Sequence, residues 1–74
     1  METTLVEIES GDEGRRLDRL LADRLGVSRA RIRYLLEVGR VQREGRALEP
    51  QAKSHRVTTG ERFEVLGSLR AEDE

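Results

Sequence analysis

RRLDRLLADRLGVSRARIRYLLEVGRVQREG, residues 15–45, decides the fold. Leu17, Leu20, Leu21 and Leu25 fall at i, i+3, i+4 and i+8, one apolar stripe on a helix that starts near Arg15. Arg15, Arg19 and Asp23 share its other side. Gly26 supplies a residue tolerant of the left-handed conformation where that helix must stop. Ser28 caps a second helix, with Val27 and Ile32 disposed as a hydrophobic staple and Arg31 where a Glu would complete a capping box. The second helix buries Ile32, Leu35 and Leu36 and ends at Gly39, which leaves Arg29, Arg33 and Glu37 beside the stripe. Arg40 to Arg43 then reads as a strand carrying Val41, and Glu44-Gly45 before Arg46-Ala47-Leu48 as a tight hairpin.

Outward from this stretch, residues 4–9 alternate with β-branched enrichment and predict a short strand, broken over residues 10–14, where Asp12 and Glu13 precede a helix start. Residues 50–56 read as a surface loop. Residues 57–61 give a turn, and residues 62–66 a last strand alternating around Phe63 and Val65. These elements predict an α+β domain over residues 1–67, two short helices packed on a small, mainly antiparallel sheet. Its expected core is Val6, Ile8, Leu17, Leu20, Leu21, Leu25, Ile32, Leu35, Leu36, Val41, Phe63 and Val65. Residues 68–74 read as an acidic tail or the start of a linker.

Seventy-four residues suffice for one small core. There is no cysteine to make a disulfide or thiolate metal site, and no run approaches the roughly 18 apolar residues of a membrane span. The first ten residues lack the basic start and apolar run of a secretory signal. The expected setting is cytoplasmic, with no membrane partner, no small-molecule substrate, no cofactor, and a monomer. His55, the only histidine, has no ligand-spaced companion, so it reads as a loop residue rather than a metal ligand.

The formal net charge of −1 hides the layout. Residues 15–56 carry twelve Lys or Arg against five acids, net +7, between flanks of −5 and −3. A basic middle between acidic ends suits a polyanion-binding surface. Aromatics make up 3%, too few for a stacking platform along a single strand.

Arg16-Leu17-Asp18 with Leu20-Leu21-Ala22, then Ser28-Arg29-Ala30-Arg31-Ile32, Leu35-Leu36 and Gly39-Arg40-Val41, then Gly45, Pro50 and Gly60-Glu61 before Phe63-Glu64-Val65, resemble the S-four domain. This is the small RNA-binding domain, or alpha-L motif, named after the fourth small-subunit ribosomal protein. The likeness spans residues 5–66. The acidic, strand-like lead-in followed by Gly14-Arg15-Arg16-Leu17-Asp18 is most similar to the version at the N-terminus of large-subunit ribosomal RNA pseudouridine synthases. The resemblance implies binding of structured RNA, ribosomal RNA above all, through helix two and the start of the next strand. It further implies an enzyme domain that this chain does not contain. Where the family has Val-Asn-Gly and Gly-Asp, this chain has Arg43-Glu44-Gly45 and Gly60-Glu61. The synthases' catalytic Asp stands in a His-Arg-Leu-Asp stretch followed by Thr-Ser-Gly. Asp18 has no such sequel and reads as the partner of a nearby Arg.

Guanidinium groups on a rigid helix bind phosphates in bidentate fashion at low ordering cost. The expected contacts are Arg29, Arg33, Arg40 and Arg43, with Arg15, Arg19, Arg31 and Arg46 behind them. Singly, each could equally belong to a solvated face; the +7 cluster is what favours binding. Tyr34 fits base stacking and partial burial equally well. Two other classes compete. Residues 21–32 resemble a DNA-binding helix-turn-helix of a transcriptional regulator, with residues 41–65 as its wing, but the lead-in reads as strand where a winged helix needs another helix. A protein-docking module using the basic face on an acidic partner is the third reading.

Overall fold

A computed structural model describes residues 3–67. The chain folds as α+β: β1 (Thr3–Glu7), a 3-10 turn (Ser10–Asp12), α1 (Leu17–Leu25), α2 (Arg29–Glu37), β2 (Val41–Arg43), β3 (Arg46–Ala47), a second 3-10 helix (Pro50–Ser54) and β4 (Arg62–Leu66). The strands form one antiparallel sheet in the order β1-β4-β2-β3, with Val6 opposite Phe63 and Val41 opposite Val65. These four side chains are buried, and β4 alternates as its sequence requires, Phe63 and Val65 turned inward. The helices supply Leu17, Leu20, Leu21, Ile32, Leu35 and Leu36 to the same core.

Several features differ from the sequence reading. Helix one begins at Leu17, not near Arg15, because the backbone of residues 14–17 is used elsewhere. Gly14 N–H donates to Val57 O at 2.8 Å, Leu17 N–H to His55 O at 2.9 Å, and Arg15 O accepts from Val57 N–H at 2.9 Å. This antiparallel bridge also buries Val57, a core residue absent from the expected set. The supposed surface loop over residues 50–56 is largely the second 3-10 helix, with Pro50 at its start, and it packs against both α-helices. Leu25 is half-buried at the core's margin rather than inside it, while Ala22 is buried. The first strand ends at Glu7, although Ile8 stays buried and its N–H still donates to Glu61 O at 2.9 Å. The expected tail over residues 68–74 lies outside the described residues.

The ends of α2 are fixed as the sequence dictates. Ser28 accepts from Arg31 N–H at 3.1 Å. At the other end of α2, Gly39 adopts φ 76°, its N–H reaches Leu36 O at 3.2 Å, and Arg40 N–H reaches Leu35 O at 2.9 Å. That double bond pattern is a Schellman stop, which satisfies carbonyls the helix cannot.

Candidate nucleic-acid interface

Among the described residues, three acids of the flanks hold arginines. Glu7 pairs with Arg62 at 3.3 Å, Asp12 with Arg24, and Glu61 with Arg43 at 2.7 Å. Within the basic middle, Asp23 pairs with Arg15 and Asp18 with Arg16 at 3.4 Å. Asp18 is 3% exposed and also accepts from Arg19 N–H at 2.8 Å, so it is a buried structural acid at the start of α1, where the helix dipole favours a negative charge.

The cations left without an ion pair among the described residues are Arg19, Arg29, Arg33, Arg40, Arg46, Lys53 and Arg56. Of the expected contacts, Arg29 and Arg33 are exposed on α2, Arg40 is exposed on the link to β2, and Arg46 is exposed on β3. Arg19 is exposed on α1. Arg31 is half-buried, its guanidinium carbon 5.2 Å from the centre of the Tyr34 ring. Arg15 and Arg43 are already held by acids. Arg15 is also not a helical residue but part of the bridge before α1.

The hairpin brings Arg43 and Arg46 directly opposite each other. Its turn needs positive φ at both central positions, and Glu44 takes φ 53° and Gly45 φ 79°. This is the twist-matched two-residue turn, with an unsuited residue at its first position. Sequence reasoning missed Lys53, which the second 3-10 helix sets beside Arg33 and Tyr34 in one recess, and Arg56, which joins Arg15, Arg16 and Arg19 around another. Pro50, a residue suited to the first turn of a helix, was the available signal.

His55 is not a plain loop residue. Its Nε2 lies 3.1 Å from both carboxylate oxygens of Glu61, and its ring meets Phe63 edge-on at 6.4 Å. A charged carboxylate can only accept, so Nε2 carries the proton. Burial alone would raise the Glu61 carboxyl, but Thr58 N–H at 2.5 Å, His55 and Arg43 outweigh it and hold it below its ordinary value. Among the described residues no group of three or more His, Cys, Asp or Glu is placed to hold a metal ion, and no helix is long and apolar enough to cross a membrane.

The fold and this surface together define a small α+β domain with a cationic helix and hairpin. Comparisons with protein-family models, with characterised proteins and with solved structures found no match.

Proposed function

We propose that this chain is an RNA-binding module of the S-four type that holds structured RNA, ribosomal RNA above all, on α2, the β2–β3 hairpin and the neighbouring 3-10 helix. It serves a pseudouridine synthase catalytic domain elsewhere in a parent protein, performs no chemistry itself, and works in the cytoplasm. One observation carries the reading. The acids hold Arg15, Arg16, Arg24, Arg62 and, on the hairpin itself, Arg43, whereas Arg29, Arg33, Arg40, Arg46 and Lys53 enter no ion pair among the described residues. Any one of these cations would be an ordinary solvated charge, but five of them within residues 29–53 make a cluster that suits a phosphate backbone.

Glu37, Glu44 and Glu49 stand exposed in the same stretch, so the surface is a set of discrete cations rather than a uniform field. That pattern suits recognition by shape and phosphate position, the mode open to a protein facing the narrow major groove of A-form RNA. A strand and a 3-10 turn precede α1, which speaks for RNA over a winged-helix DNA reading. The test is a titration with a hairpin RNA at two salt concentrations. Affinity should fall with a log–log slope of roughly 0.7 to 0.9 per phosphate contacted. Salt-independent binding, or none, would remove the proposal.

A further inference from the structure

We infer that the recess between α2 and the second 3-10 helix is a site for one unpaired nucleotide of the RNA, its base stacked on Tyr34 and its phosphate held by Arg33 and Lys53. The inference rests on the RNA-binding reading and sharpens it by naming the kind of RNA. The recess measures about 360 Å3 and is lined by Ala30, Arg33, Tyr34, Glu37, Pro50 and Lys53. Positions 30, 33, 34 and 37 share one face of a helix by period alone, and the 3-10 helix closes the other side.

Tyr34 is 47% exposed, although an aromatic ring is the kind of apolar surface that a 74-residue chain can least spare from its core. Arg31 stands over the ring, 5.2 Å from its centre, and is not among the residues that line the recess. Beside it, neither Arg33 nor Lys53 enters an ion pair among the described residues. With Glu37 counted against them, the lining carries one net positive charge, matching the single negative charge of a phosphodiester. Glu37 adds an acceptor suited to a base amino group. Ala30 and Pro50 keep the walls low and apolar.

A paired base cannot reach such a ring. Bases inside an A-form stem are stacked and their major-groove edges are out of reach, so an aromatic side chain gains a contact only from a nucleotide that has left the helix, in a bulge or a loop. One ring takes one base, which is why this is a single-nucleotide site and not a platform for a strand.

The experiment compares the affinity of the full chain for two hairpins with the same stem, one fully paired and one with a single-nucleotide bulge. The wild type should prefer the bulged hairpin by at least about fivefold, the low end of what stacking one base on an aromatic side chain contributes. Tyr34→Ala should erase that preference while keeping affinity for the paired hairpin, Tyr34→Phe should retain it, and Lys53→Ala should weaken the bulged complex more than the paired one. Equal binding of the two hairpins by the wild type would overturn the site while leaving RNA binding intact. So would a Tyr34→Ala variant that weakens both alike, or a free nucleoside monophosphate that competes as well as the bulged hairpin at equal concentration. Binding to neither hairpin would overturn the RNA reading and the site with it.

Discussion

Arg43 Nη1 lies 2.7 Å from Glu61 Oε2, so a cation that the sequence offers to RNA is held by a buried acid of its own chain. The same carboxylate accepts from Thr58 N–H and from His55, and it ties the end of β2 to the turn before β4. Arg43 therefore contributes to the binding surface only against Glu61's competition.

Glu61→Gln should destabilise the domain at neutral pH by about 1–3 kcal/mol, the usual cost of leaving buried hydrogen-bonding groups unsatisfied. The pH dependence follows from the lowered carboxyl. Its stabilisation is complete above the ordinary glutamate value of 4.5 and is lost as pH falls through the lower folded value. Thermal melts of both proteins from pH 7 down to pH ~3 should thus converge on acidification. Asp12, lowered by its hydrogen bond to the Glu9 backbone and by Arg24, and Glu13, lowered by Thr59, remain in both proteins and keep some acid sensitivity in the variant. A gap that stays constant across this range would contradict the assignment.

Glu44→Asn should stabilise the hairpin by about 0.5–1 kcal/mol, since a bulky L-residue in the left-handed region costs roughly 1–2 kcal/mol and Asn carries less of that cost. For a chain of this length that corresponds to a rise in Tm of a few degrees, about 4–8 °C per kcal/mol. An unchanged or lower Tm would mean that Glu44 carries no backbone strain.

Ser28→Ala should cost about 1 kcal/mol by removing the side-chain acceptor for Arg31 N–H, with Ser28→Gly costing less. Chemical denaturation resolves the difference. Equal midpoints for wild type and Ser28→Ala would show that the cap is not contributing.

Helix positions, caps and most of the core were legible because their signals are local. Leu17, Leu20 and Leu21 repeat at helical spacing, Gly39 stands where α2 must stop, and Phe63 alternates with Val65. What escaped depends on contacts distant in sequence. The start of α1 was displaced by a bridge between residues 15–17 and 55–57, about forty residues apart, and that bridge also carried Val57 inward. Glu61 reads in sequence as an ordinary turn acid; only the packing of β2 and residue 55 around it makes it a buried hub. The surface itself was half legible. Charge counting finds a basic middle but cannot tell which arginines the acids will hold, and so it ranked Arg43 and Arg15 among the expected contacts and passed over Lys53.

Arg29→Glu with Arg33→Glu reverses two exposed cations on α2 that enter no ion pair among the described residues. RNA affinity should drop and the salt slope should shrink by roughly 0.7 to 0.9 for each phosphate that is no longer bound, while stability stays within about 1 kcal/mol. Retained affinity in the folded double variant would remove α2 from the binding surface.

The most direct measurement is a competition titration of this chain against a hairpin RNA and a matched DNA duplex at two salt concentrations. An RNA-binding module should prefer the hairpin RNA and bind it more weakly as salt rises. Preference for the DNA duplex, or binding to neither, would contradict that role, the first favouring a winged-helix regulator and the second a protein-docking role for the same basic face.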